Sequence, residues 1–587
     1  MKKPTFVAAL AAVALGLGSC SRRDPGSKGL TSVYPSLCEW TQWGGSAFHL
    51  GQVCGPAQTP DRVLAELTFD PFVAQEQAEW SELFAHYQVP LLSGDDVFVM
   101  VKAGSYVSCV PPGSYTPFPC GPDAWDSQIW TEKRLQWDRG QLKEKWTFAS
   151  DWKPVSGRLT NAWEPMFQPA LSGDSLFVPG AGGTVFELDR DSGAVLQRIN
   201  PFGPNLDLQA HVSGGIAVDL RGTLFYNVLK LDPNDPSRTV RGFLVRAGRE
   251  DGQKARPVTI KVVPYDGLNP AALSPTDLCF GEYAPGQRPW PVLEPNGTPA
   301  LPPRLQCGAQ RPTANMTPTV GLDGTVFTYA KANFSARYSY VLALNNDLTF
   351  KWAASLRDVL NDGCGVLVPI DGSLEACQIG APIGIEPSTG MRPAGYISDK
   401  SSSTPVALPD GGVLIGAETT YNGDRGHTFK FDRDGIPAGT FDFGWDSTPA
   451  VYAHGDTYSI ILKDNHYVTH GPFSITQLDA NMHVEWTYRN TTTQTCARQP
   501  DGTVQCADKG DHPNGFEWCV NAPAVDSNGT VYVTSEDGNF YAIGQGGVER
   551  ARVFLNLALA AAYTPLSIDP AGRIYAMNNG QLTVLGK

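Results

Sequence analysis

Short apolar runs broken by two-residue turns recur along the whole chain. The stretch "SNGTVYVTSEDGNFYAIG", Ser527 to Gly544, reads as turn, strand, turn, strand, and looser copies include "SGDSLFVPGAGGTVFELD" from Ser172 and "DGTVFTYA" from Asp323. The runs are rich in β-branched and aromatic residues, Asp-Gly and Asn-Gly pairs punctuate them, and no long stretch keeps a 3.6-residue apolar period. They are also nearly continuous in hydrophobicity, which is how a sheet covered on both faces reads.

Eight copies of this unit begin at Pro90, Pro169, Gly214, Thr317, Thr404, Thr448, Ala522 and Thr564. Thr404 and Thr448 lie 44 residues apart and Ala522 and Thr564 lie 42 apart, the length of one four-stranded propeller blade. The pattern predicts an all-β fold, a β-propeller of eight four-stranded blades, in which wider spacings mark loop insertions at about 104–130, 230–313 and 490–520. The final unit stops at Lys587 one strand short, and "RVLAELTFD", Arg62 to Asp70, has the apolar pattern to complete that blade and remove an exposed sheet edge.

Composition narrows the partners. The 587 residues include 61 glycines and 47 prolines, which many short strands and turns consume. A net charge of -14 argues against an affinity built on neutralising phosphates, so no nucleic-acid partner is expected.

The amino terminus addresses the chain to the cell envelope. Lys2-Lys3, an apolar run from Phe6 to Leu17, and Leu17-Gly18-Ser19-Cys20 resemble the signal and lipobox of bacterial lipoproteins. That resemblance implies a signal peptide over 1–19, lipidation of Cys20, a flexible tether over 20–30 and a single propeller domain over 31–587. Ser21 after the cysteine favours the outer membrane, on its periplasmic face or at the cell surface. The apolar run from Val553 is interrupted by Asn556 and falls short of the roughly 20 residues a spanning helix needs.

Eleven further cysteines fit an oxidising compartment. Ten fall as neighbours in sequence, Cys38 with Cys54, Cys109 with Cys120, Cys279 with Cys307, Cys364 with Cys377 and Cys496 with Cys506, and Cys519 is left over. None forms a C-x-x-C pair, so the usual zinc and haem spacings are missing.

The repeats resemble those of quinoprotein-type propellers, in which a strand, an Asp-Gly turn and a second strand lead to a tryptophan. Here "QWDRGQLKEKW" ends at Trp146, "LALNNDLTFKW" at Trp352 and "TQLDANMHVEW" at Trp486, and the resemblance makes these blade-docking residues. Enzymes of that family bind pyrroloquinoline quinone (PQQ) and calcium in a central funnel beside two adjacent cysteines. No two cysteines are adjacent in this sequence, so neither PQQ nor calcium is expected. His466 and His470 would stand about 13 Å apart on a strand, too far to share one metal, and Asp232 in "DPNDPS" reads as a solvated turn. No motif of a nucleophile, a metalloprotease or a phosphate loop appears.

The sequence therefore predicts a non-enzymatic scaffolding propeller, monomeric, similar to the lipoprotein propellers of outer-membrane protein assembly. An unknown envelope protein or surface ligand is its expected partner. A PQQ-dependent dehydrogenase and a carbohydrate-binding propeller are the alternatives. The proline-rich excursion between Cys279 and Cys307 carries Tyr283, Arg288 and Trp290, residue types enriched at interface hot spots, and is the candidate binding surface. The segment from Cys496 to Cys519 is a second candidate.

Overall fold

Aspartates start the turns that cut the chain into strands. Asp526 accepts hydrogen bonds from the backbone N–H groups of Asn528 and Thr530 just before the strand Val531–Thr534. Asp219 does the same for Arg221 and Thr223, and Asp432 for Asp434 and Ile436. Each such turn reverses the chain cheaply, and the apolar run that follows pairs back on the one before it.

The computed structural model describes residues 38–80, 88–109, 122–155, 166–232, 239–249, 257–281, 283, 292–298, 300–360, 362–366, 377, 380–386, 389–399, 401–419, 422, 425–467, 469–499, 501–508, 512–556 and 565–587. It forms eight antiparallel four-stranded blades, each in simple meander order. Blade 1 runs from Leu91–Ser93 to Gln141–Ser150, blade 2 from Ala170–Ser172 to Val195–Ile199, blade 3 from Ala210–Val218 to Thr259–Pro264 and blade 4 from Thr319–Val320 to Phe350–Ser355. Blade 5 runs from Val406–Ala407 to Pro437–Phe441, blade 6 from Ala450–His454 to Val484–Arg489 and blade 7 from Ala524–Val525 to Val548–Phe554. Blade 8 takes three strands from the end of the chain and its outermost, Arg62–Thr68, from near the start, with Arg62 opposite Gly586 and Thr68 opposite Gln581.

The core lies between blades. The second strand of blade 4, Val326–Ala332, is buried at every position, as a sheet covered on both faces requires. Trp146 donates its Nε1–H to Arg190 O in blade 2 at 3.0 Å, and its ring lies on Gly193. Trp352 repeats this contact on blade 5, with Arg433 O at 2.9 Å and Gly435 beneath the ring, and Trp486 rests against Gly547 of blade 7.

The excursion after blade 3 begins later than the sequence pattern suggests. Thr239–Gly248 and Thr259–Pro264 are the outer two strands of that blade, so the insertion starts near Tyr265 and not at 230. Tyr467, Thr469 and His470 do not extend a strand. His470 adopts a φ of 51° in the turn between Thr457–Asn465 and Phe473–Asp479.

Glu132, in blade 1, sits opposite Met100 and Phe148 with no exposure, and among the described residues neither carboxylate oxygen has a hydrogen-bond partner. Burial pushes its pKa well above the ordinary carboxylate range. The folded protein thus holds Glu132 protonated while the unfolded chain ionises it, so this group lowers stability as pH rises above the ordinary value. Glu132→Met is expected to raise stability at pH 7 by ~1–4 kcal/mol, with the gain shrinking toward pH 4. Urea titrations at the two pH values check this.

Candidate functional site

In an antiparallel meander, the connections from first to second and from third to fourth strand fall at one end of every blade, and the remaining connections fall at the other. Here the first end carries mostly tight turns, such as Gly94-Asp95, Asp323-Gly324 and Asp410-Gly411. The second end carries all the longest connections, at 105–127, 265–318, 356–405 and 490–523. Three of the disulfides lie there, Cys279–Cys307, Cys364–Cys377 and Cys496–Cys506. This insertion face also exposes Leu278, Leu301 and Ile383. Disulfides on long loops fit an extracytoplasmic protein, and among the described residues no helix is long and apolar enough to cross a membrane.

The axis of the ring is filled by the chain itself. Residues 40–53 pass round the inside of the propeller and bond the innermost strand of one blade after another. Trp40 exchanges backbone hydrogen bonds with Leu92 of blade 1, Thr41 O accepts from Leu171 of blade 2, and the Gln42 side chain binds both backbone groups of Val218 in blade 3. Ala47 O, Phe48 O, Leu50 O and Gly51 O then accept from Val320, Ala407, Val451 and Val525, in blades 4 to 7. The innermost strands would otherwise leave these N–H groups unpaired. Trp40, Trp43, Phe48 and Leu50 are fully buried, and Cys38–Cys54 closes the segment into a loop. Gly51 has a φ of 65°, and a side chain there would meet Pro523 O at 2.8 Å.

Polar side chains of blades 5 to 7 meet inside the ring toward the insertion face. Thr404, Asp446, Thr448 and Asn521 are all buried, and Asn521 donates to Asp446 at 2.7 Å while Thr448 Oγ1 donates to Asn521 at 3.2 Å. His49 of the axial segment joins this layer through Nδ1, which donates to Pro405 O at 2.9 Å. Burial lowers its pKa from 6.5 to about 4. The folded protein keeps His49 neutral while the unfolded chain takes up a proton, so its contribution is intact above the ordinary value and is lost as pH falls toward the lowered one. The loss amounts to about 3 kcal/mol. A His49→Gln variant is expected to lose that share of the acid sensitivity, measured as the difference between variant and parent in urea titrations across this range.

The sequence-predicted residues do not converge. Tyr283 is 7% exposed, packs on Val292 and Ala300 and donates its hydroxyl hydrogen to Ala300 O. Its ring packs inward on these two residues of the excursion. Arg288, Trp290, Cys120, Cys20 and the leader and tether lie outside the described residues. Cys519 is a free, buried thiol beside Glu517 and Glu536, with ligand-type atoms within 4.8 Å of one another. Burial, followed by the neighbouring Glu536, raises Glu517 to about 7, and burial raises the Cys519 thiol well above its usual range. A protonated thiol of this kind is a poor nucleophile.

The axial segment is the feature the sequence reading missed. Its signal lies in the apolar Trp40, Trp43, Phe48, Leu50 and Val53, interleaved with Gly44, Gly45 and Gly51 and bracketed by two cysteines ahead of the first repeat.

No family model matches this chain, and no curated protein matches it. Among solved structures it is similar to a europium-containing methanol dehydrogenase, with 10% identity and a TM-score of 0.47 over 93% of this chain and 90% of that one. It is also similar to BamB from Moraxella catarrhalis, with 12% identity and a TM-score of 0.35 over 83% of this chain and all of that one. Neither likeness assigns a role, and the architecture rests on the strand order described above.

Proposed function

We propose that this chain is a lipid-anchored extracytoplasmic propeller that holds an envelope protein or surface ligand on its insertion face, without catalysing a reaction. The observation that carries the reading is the filled axis. A quinone and calcium, as the quinoprotein resemblance implies for its enzymes, would need the central funnel. Residues 40–53 run buried round the inside of the ring, and Thr404, Asp446, Thr448 and Asn521 of blades 5 to 7 are buried toward the insertion face, which supports a reading without such a group.

The chain's path orients the reading. Glu39 accepts a hydrogen bond from Ser93, at the tight-turn end of blade 1. A tether from Cys20 would reach the ring on that side, across at most about 60 Å of extended chain. The insertion face then points away from the membrane. Photo-crosslinking residues placed at Leu301 and Ile383 are expected to trap partner adducts in cells, while residues at Leu220 and Ile436, exposed on the tight-turn face, are not. Adducts confined to the second pair would overturn the assignment. Cys20→Ser is expected to release the protein from the membrane fraction.

A further inference from the structure

A cleft of about 600 Å³ opens on the insertion face where blades 1, 2 and 3 meet, within the ~300–1,000 Å³ that small-molecule sites span. A recess continues from it to the innermost strand of blade 3, sharing Trp152, Lys153 and Val155 with the cleft and reaching Met166, Gly214 and Asn315. The recess measures about 10 Å³, room for a single water-sized group.

Asn315 has no exposure, and among the described residues neither its amide oxygen nor its amide nitrogen has a hydrogen-bond partner. Its backbone is nonetheless clamped on both sides. Ser213 Oγ donates to Ala314 O at 2.6 Å, Asn227 Nδ2 donates to Met316 O at 2.9 Å, and Gly215 N–H donates to Thr317 Oγ1 at 2.9 Å. A bulge between Ser213 and Ala217 brings blade 3 this close, and Gly214, at a φ of 73°, sits where a side chain would meet Met316 O at 2.2 Å. The fold thus fixes a carboxamide in a buried recess, where an unpaired donor and acceptor are costly.

Size and chemistry together choose the occupant. The amide needs a group that donates to Oδ1 and accepts from Nδ2, and the recess admits about one non-hydrogen atom. An ammonium only donates and a carboxylate only accepts, whereas one hydroxyl does both. The cleft that seats the rest of the molecule mixes apolar surface, from Trp152, Ala210 and Leu231, with Asp126, Asp151 and Gln209. Asp151 already accepts from Ala181 N and pairs with Arg198, and the remaining lone pairs of such a carboxylate still accept from hydroxyls. A sugar ring, with C–H faces and a rim of hydroxyls, matches that lining.

We infer that this cleft binds a carbohydrate and that Asn315 receives one of its hydroxyl groups in the recess. The inference rests on the reading that the insertion face holds a surface ligand, and names the class of that ligand.

The test uses the purified full chain and the methyl glycosides of glucose, galactose and mannose, titrated into the tens of millimolar range and followed by saturation-transfer NMR. At least one glycoside is expected to bind. Among its monodeoxy analogues, one is expected to bind about tenfold more weakly or worse, because it leaves the Asn315 amide unpaired. Asn315→Leu should weaken the parent glycoside to a similar degree, and the same deoxy change should then cost nothing further. The deoxy series on the parent chain needs no variant, so it decides the matter even if Asn315→Leu does not fold. No binding by any glycoside, or equal binding across the deoxy analogues, would overturn the proposal. So would a full deoxy penalty retained by Asn315→Leu, since an ordered water would then be the only partner of Asn315. Crosslinks at Leu301 and Ile383 without glycoside binding would reject this ligand class and leave the face assignment standing, and glycoside binding with crosslinks confined to Leu220 and Ile436 would do the reverse.

Discussion

Deleting residues 40–53 is expected to prevent the ring from folding, not merely to open its axis. Trp40, Trp43, Phe48, Leu50 and Val53 are each at most 4% exposed. At ~1.5–3 kcal/mol for each large apolar side chain, their burial contributes about 10 kcal/mol, comparable to the whole stability of a typical domain. The deletion would also strip hydrogen-bond partners from the innermost strands of seven blades. A milder form of the same experiment is Trp43→Ala, whose ring packs on Met166; it should cost ~3–5 kcal/mol. Circular dichroism melts and urea titrations read both. A deletion variant that melts like the parent would reduce the segment to an accessory.

Removing the closing strand should be nearly as damaging. Arg62–Thr68 pairs with Gln581–Gly586 along its length, and the chain then runs on to Asp70 and Glu76, which both reach Lys102 of blade 1, at 2.6 and 2.5 Å. All three side chains are buried. The strand closes the ring and the ion triad locks the next segment across the seam. Deleting residues 60–72 is expected to lower the melting temperature far more than deleting the tether residues 21–29, and equal melting temperatures would refute the closure. Lys102→Met isolates the triad: two buried carboxylates lose their shared cation, at a cost of ~3–5 kcal/mol.

The blades were legible because their information is local. An Asp-x-x-Gly turn needs only its own side chain and the next few amides, and the apolar run after it needs only a neighbour on each face, so Asp526 to Thr534 reads correctly in isolation. The closing strand was legible as well, because an incomplete last blade leaves an edge that some segment must cover. Residues whose role depends on distant parts of the ring were not legible in the same way. Tyr283 has the composition of an interface residue, and only its packing on Val292 and Ala300 shows that it faces inward. The axial segment has no repeat period at all, since its register is set by the innermost strands of successive blades. Asn315 looks like an ordinary loop asparagine in sequence, and its place beside the blade 3 bulge depends on Ser213 and Asn227, far away in the chain.

The burial of residues 40–53 inside the ring is the observation that the proposed function rests on, and amide hydrogen exchange in the intact chain reads it. Residues 40–53 are expected to exchange as slowly as the innermost strands they bond, Ala450–His454 and Ala524–Val525 among them. Exchange of residues 40–53 within seconds, while those strands stay protected, would mean that the axis is open and would move the search for a binding site to the centre of the ring.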